Sequence, residues 1–209
     1  METNIIIAGV GGQGSILAAR IIADAALSEN KCLAKGNTNP AVRVGETFGA
    51  AMRGGAVSSH IRLGDVVSPL VPEKQCDLII GLEPLEALRL AVDYLAPGGW
   101  VVMNTDKNIP TDVKTGMTTY PEIDEIVSAI ESIGGKTLVV NATELAKQAG
   151  TIKCMNVVML GVAFSTGILP LSKEALVDAI SARVPSKTVQ TNVKAFELGL
   201  EARTGCQKS

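Results

Sequence analysis

The chain has 209 residues, 46% of them hydrophobic and 3% aromatic, with 19 Lys and Arg set against 21 Asp and Glu for a formal charge of −2. That is enough apolar material for one domain with a real core, while positive charges this scattered, with so few aromatics, exclude a nucleic-acid partner on electrostatic grounds. The longest apolar stretches, such as Asn156 to Phe164, fall well short of the roughly 20 residues that cross a bilayer, and no charged-then-apolar leader precedes Ile5, so no membrane partner and a cytoplasmic location are expected.

Asn4 to Ala8 is an Ile-rich run closed by Gly9 and reads as a strand buried on both faces. Gly14 to Glu29 follows with Ile16, Leu17, Ile21, Ile22, Ala25 and Leu27 on a helical period. Cys32 to Ala34 is expected as a second short strand, and Gly36 to Gly55, with five glycines, one proline and no sustained period, as a long loop. Ala56 to Leu63 alternates as a strand does, and Gly64-Asp65 is expected to turn it into a hairpin through Val66, Val67 and Ser68. Asp77 to Gly81 is a further strand. Pro84 suits the first turn of a helix with Leu85, Leu88, Val92 and Leu95 on one face, stopped by Pro97-Gly98-Gly99.

Trp100 to Met103, a helix around Glu122 to Ile133, the Gly134-Gly135 turn and the strand Thr137 to Val140 continue the alternation. The expected class is therefore α/β, Rossmann-like, with a mostly parallel sheet flanked by helices. The C-terminal third is expected to be helical. Asn141 and Glu144 have the spacing of a capping box for a helix through Ala149, and Asn156 to Thr166, Lys173 to Val184 and Thr188 to Ala202 are three more helices. These cover the sheet or form a contact surface, and Asn156 to Phe164 is apolar enough to be buried or to meet another subunit.

Gly9, Gly11 and Gly14 satisfy GxGxxG between the first strand and the first helix, with Gly12 and Gln13 in the variable positions. Glycines let the backbone turn tightly and approach a ligand, and free helix N–H groups favour an anion, so a phosphate or pyrophosphate fits. A strand-to-helix turn also favours glycine for packing alone. An NAD site needs an acid about twenty residues past the loop to bond the ribose; here the stretch reads KCLAKGN, and Lys35 cannot accept from a hydroxyl. NADP, with its extra phosphate, is better served than NAD. A second cluster, VGETFGAAMRGGAVSSHIRLG, puts Arg53 just before Gly54 and Gly55, where an arginine fork could meet a phosphate or carboxylate, or simply face solvent in a glycine-rich turn. Cys32, Cys76, Cys154 and Cys206 form no CxxC pair for zinc or an iron–sulfur cluster, and are core or surface thiols of a reducing compartment. His60 is the only histidine; a structural or substrate-contact role suits it better than catalysis.

GVGGQG after the first strand, AMRGGAVSSHIRLGD, SPLVPEKQCDLIIGLEPLEALR and the closing VPSKTVQTNVKAFELG occur in order from Ile5 to Gly199. With these the chain resembles the gamma-type subunits of 2-oxoacid:ferredoxin oxidoreductases, and within that family it is similar to the smaller (beta) subunits of indolepyruvate oxidoreductase. The resemblance implies a single gamma-type domain over residues 1–209 that works inside a complex. Such complexes oxidatively decarboxylate a 2-oxoacid to its acyl-CoA and pass the electrons to ferredoxin. It implies that thiamine diphosphate, magnesium and the iron–sulfur clusters sit in a larger partner chain. This chain's Gly64-Asp65 continues into Val66 where a thiamine diphosphate motif would carry another glycine. It also implies coenzyme A as the ligand of the first loop, with Gly9, Gly11, Gly12, Gln13 and Gly14 at its phosphates and Arg53, Gly54 and Gly55 lining the cleft toward the catalytic partner. No catalytic or metal-binding residue is assigned to this chain, and a homodimer is left open.

Indolepyruvate-type subunits carry Gly-Asn-x-Arg-x-x-Asn where this chain reads GTIKCMN, so Thr151 and Lys153 depart from the pattern and Asn156 keeps it. Two other functions compete with the leading one. One is a purely structural interface subunit whose glycine loop binds nothing; the other is a free-standing NADP-binding reductase.

Overall fold

The computed structural model describes residues 2–33, 41–49, 55–109, 113, 115–116 and 119–206. Six strands, β1 (Thr3–Val10), β2 (Ala41–Phe48), β3 (Ala56–Gly64), β4 (Cys76–Gly81), β5 (Leu95–Asn104) and β6 (Lys136–Val140), form one sheet in the order β2-β3-β1-β4-β5-β6. The pairs β1–β4, β4–β5 and β5–β6 are parallel, and β3 runs antiparallel to both β1 and β2. The mostly parallel α/β sheet expected from the alternation is present, with an antiparallel hairpin added at one edge.

Alternate residues of β1 feed two cores, as a strand buried on both faces requires. Ile5 and Ile7 pack with helix α1 (Ser15–Leu33) and the C-terminal helices α4 (Ala142–Ala149), α5 (Met155–Ser165), α6 (Lys173–Arg183) and α7 (Val189–Cys206). Ile6 and Ala8 face the other way, onto α2 (Pro84–Tyr94) and α3 (Ile123–Ser132) through Ala87, Ala91, Ile126 and Ile130. Helix α5 is buried from Met155 to Ala163. It lies against α7 so closely that a Cβ on Gly161 would sit 2.1 Å from the Phe196 carbonyl oxygen, and one on Gly199 2.0 Å from that of Val158. The helical C-terminal third is thus a layer over one face of the sheet.

Several local expectations are corrected. Cys32 and Leu33 end α1 rather than forming a strand, because no glycine or proline interrupts the helix before Gly36; Ala34 lies outside the described residues. Within the stretch expected as a loop, Ala41–Phe48 is strand β2, pairing with β3 from Ala41↔Gly64 to Phe48↔Val57. That upstream strand, not Val66 to Ser68, is the hairpin partner of β3; Gly64 instead closes a tight turn in which its carbonyl accepts the Val66 N–H at 3.0 Å. On α2 the fully buried positions are Pro84, Ala87 and Ala91, with Leu85 and Leu88 at the margin and Val92 49% exposed, since small residues let this helix lie close on the sheet. Leu95 already belongs to β5, so the helix ends before the Pro-Gly-Gly turn. At α4 the Asn141 side chain caps the Glu144 N–H at 3.0 Å as expected, whereas the Glu144 carboxylate turns to Lys147.

Candidate functional site

The chain leaves β1 for α1 on one face of the sheet, and leaves the adjacent parallel strand β4 for α2 on the other. Their carboxyl ends flank a topological switch point, where open α/β sheets have their ligand crevices. Gln13 ties this point together. Its Oε1 accepts the Val10 N–H at 2.8 Å and its Nε2 donates to the Leu82 carbonyl at 3.3 Å. Asn104, fully buried at the end of β5, donates to the same carbonyl at 3.5 Å and accepts the Ala142 N–H at 2.9 Å. Beside it Glu83 is also buried. Its carboxylate caps α2 through the Glu86 N–H and accepts the Asn108 N–H and the Tyr120 hydroxyl, clasping the segment after β5 to the top of the sheet. Burial first, and then the Glu83 carboxylate, push the Tyr120 phenol up.

An open cleft of about 300 Å³ lies between the start of α1 and the end of the β2–β3 hairpin. Gly11, Gly12, Gly14, Ser15 and Ile16, from the loop and first turn of α1, line it together with Phe48 and Val57 of the hairpin. Of the glycines expected here, Gly12 has φ +107° and open space where a Cβ would be. Gly14 has φ +83°, and a Cβ there would lie 2.6 Å from the Asn156 amide nitrogen, which donates to the Gly14 carbonyl at 3.0 Å. Gly9 is a packing glycine, its Cβ position 2.7 Å from Gln13 Oε1. The Gly11 N–H donates to the Gly55 carbonyl at 3.0 Å, so these two predicted residues are brought together, with the amide turned away from any ligand. Arg53 and Gly54 fall in 50–54, outside the described residues. The first N–H groups of α1 have no partner within the helix and face anions favourably.

Sequence reasoning missed Ser15, Ile16, Phe48 and Val57. The first two were hidden in the helical period. The last two come to the cleft only because Phe48 and Val57 are cross-strand partners beside Gly9, which pairs with Val57. The topology also speaks against a dinucleotide. Beyond β1 on this side lies antiparallel β3, so the end of a second parallel strand, where a ribose-binding residue would sit, is missing beside the loop; Lys35 itself lies outside the described residues.

His60 is 2% exposed on the sheet face opposite the cleft. Its Nδ1 accepts the Val71 N–H at 3.2 Å, so the ring proton is on Nε2, which donates to Ser58 Oγ at 3.2 Å; Ser58 in turn meets Thr47 Oγ1 at 2.6 Å. In that tautomer His60 cannot take a proton from Ser58, and the pair is no nucleophile–base couple. Burial holds the imidazole below its ordinary value. Cys76 and Cys154 are buried and unpaired, and burial pushes both thiols up.

With this geometry, the similarity to known proteins is informative. Residues 4–202 match the family described as pyruvate ferredoxin/flavodoxin oxidoreductase. The chain belongs to that family. It is 41% identical over 199 residues to indolepyruvate oxidoreductase subunit IorB of Archaeoglobus fulgidus, covering 95% of this chain and 94% of that protein. It is likewise 41% identical over 203 residues to IorB of Thermococcus kodakarensis, covering 96% of each. Among solved structures, the gamma subunit of a keto/oxoacid ferredoxin oxidoreductase from Geobacter sulfurreducens superposes with a TM-score of 0.67 at 27% identity, over 97% of this chain and 99% of that one. Among the described residues no three His, Cys, Asp or Glu converge as a metal site, and Gly64-Asp65 is spent on a turn. Among the described residues, too, no helix is long and apolar enough to cross a membrane.

Proposed function

We propose that this chain is the small, gamma-type subunit of a cytoplasmic 2-oxoacid:ferredoxin oxidoreductase of the indolepyruvate type, one domain over residues 1–209. A larger partner chain holds thiamine diphosphate, magnesium and the iron–sulfur clusters. The complex cleaves the bond between the carboxylate and the keto carbon of an aryl-2-oxoacid, releases carbon dioxide, transfers the acyl group to the thiol of coenzyme A and passes the electron pair to ferredoxin. This subunit contributes a phosphate site for coenzyme A in the cleft at the start of α1, and the surface that meets the catalytic chain. The reading is carried by the near-full-length 41% identity to proteins named indolepyruvate oxidoreductase subunit IorB. The cleft lined by Gly12, Gly14 and Ser15 supports its ligand half, and the buried unpaired thiols suit a reducing compartment.

The test is co-purification of the native complex. An aryl-2-oxoacid should reduce ferredoxin only when coenzyme A and the larger chain are both present. Turnover by this chain alone would refute the assignment. Replacing Gly11 by Val puts a branched side chain at the cleft wall, so coenzyme A-dependent turnover should fall while the complex still assembles.

A second reading, an interface subunit that binds no ligand, draws on the Gly11 N–H and the Gln13 amide, both engaged in holding the framework. Calorimetric titration of coenzyme A into the complex separates the two, because an interface subunit contributes no heat that a Gly11→Val variant could remove.

A further inference from the structure

The two edges of the sheet differ in how they are defended against pairing with another chain. β6 is only five residues long and opens on Lys136, a short charged edge of the kind that resists further strands. β2, at the other edge, is eight residues long, contains no lysine and no proline, and keeps register with β3 without a bulge from Ala41↔Gly64 to Phe48↔Val57. Nothing in its own sequence or geometry blunts it.

The hydrogen-bonding pattern of β2 fixes what it presents outward. The Gly49 N–H donates to the Ala56 carbonyl at 2.9 Å, and bonded and non-bonded pairs alternate along an antiparallel ladder. Arg43, Gly45 and Thr47 therefore spend their backbone groups on β3, whereas Val42, Val44, Glu46 and Phe48 turn theirs to the open edge. Among the described residues those outward groups meet only the Arg43 guanidinium, at 3.5 Å on the Val42 carbonyl. One large apolar side chain stands uncovered beside the edge on each face. Phe48 is 47% exposed on the α1 face, and Leu70, 46% exposed, lies over Gly45 on the other.

We propose that β2 pairs antiparallel with β2 of a second copy of this chain, about a two-fold axis at Gly45, so that two sheets become one. A two-fold axis through an antiparallel strand pair stands perpendicular to the sheet and keeps every side chain on its own face, so outward residues meet outward residues. With Gly45 facing Gly45, Val44 meets Glu46, Val42 meets Phe48 and Arg43 meets Thr47. No like charges stand opposite each other, both exposed Phe48 rings gain a valine, and the two Leu70 side chains flank the axis. A shift of two residues one way sets Glu46 against Glu46. The same shift the other way carries Phe48 past the first residue of the opposing β2 and leaves it uncovered. The strand is thus complementary to itself in one register, which favours a second copy over an unrelated strand.

The experiment uses both the full-length chain and its assembled complex. The double variant Arg43→Cys, Thr47→Cys should give a disulfide-linked pair of this chain on mild oxidation. The two positions form a non-bonded antiparallel pair with Cα atoms about 4.5 Å apart, within disulfide reach. Each single variant should link no more than the parent, because like positions are four residues out of register, about 13 Å along the strand. The parent, oxidised alongside, accounts for the native cysteines. By sedimentation equilibrium, Val44→Pro should raise the dimer Kd about thirtyfold, since each copy loses one interchain N–H while the β3 ladder keeps all of its own. Thermal melts identify any misfolded variant, and the cross-link decides the matter if the proline is not tolerated. A double variant that links no better than the single ones in both the chain and the complex, one that links to the larger chain instead, or a dimer indifferent to Val44→Pro overturns the inference. The coenzyme A reading is untouched by any of these results.

Discussion

Glycine does opposite work at the two ends of this molecule. In the loop after β1, Gly12 opens onto the cleft, with nothing within 4 Å of where a Cβ would be. At the crossing of α5 and α7, Gly161 and Gly199 let two backbones touch, each Cβ position being about a bond length and a half from a carbonyl oxygen, at 2.1 and 2.0 Å. Gly14 stands between these cases: its φ of +83° shapes the loop, while its missing Cβ makes room for Asn156 from α5. The comparison teaches that a glycine-rich motif is partly a packing device even where it borders an open cleft. The glycines on which stability depends most lie far from that loop, in the C-terminal helices.

The largest effect should come from the crossing. Gly161→Val would force α5 from α7, costing about 3 kcal/mol or more; urea denaturation checks it, and a variant as stable as the parent would mean the helices have slack. Gly14→Ala should cost about 2 kcal/mol, part left-handed strain and part collision with the Asn156 amide. Made in an Asn156→Ala background, the same change should cost only the strain, about 1 kcal/mol, so a double-mutant cycle isolates the contact. Gly12→Ala should likewise cost about 1 kcal/mol of strain, yet raise the KM for coenzyme A, the reverse of the crossing's pattern.

The smallest effect concerns His60, outside both regions. The folded protein holds this imidazole below its ordinary 6.5, so as the pH falls the unfolded chain takes up the proton first. The stability that neutral His60 confers is therefore complete above about pH 6.5 and is lost as the pH drops below it toward the folded value. Urea midpoints between pH 7.5 and 5 should show that slope, and His60→Asn should flatten it.

The buried parallel strands, β1, β4 and β5, and the amphipathic helices were legible because each is specified by its own apolar residues. The hairpin strand β2 was not. Its AVRVGETF has period-2 apolar residues only at Val42 and Val44, with Gly45 in the middle, and it becomes a strand by pairing with β3. The last turn of α1 was misjudged because Cys32 and Leu33 are apolar in either conformation, and the preceding helix decides between them. The glycine motif lies at the carboxyl end of β1, and Gly11, Gly12 and Gly14 line the cleft there. Which amides face a ligand, and which are used up on Gly55 or Leu82, depends on neighbours far away in the chain.

By itself the sequence determined the α/β alternation, the helical C-terminal layer and the glycine turn that opens α1, since hydrophobic period and backbone freedom are local properties. Only the tertiary structure decided that an antiparallel hairpin lies beside β1, that Phe48 and Val57 wall the cleft, and that Gly161 meets Gly199's helix backbone to backbone. Those outcomes rest on which surfaces pack together, and no short stretch of chain carries the shape of its partner.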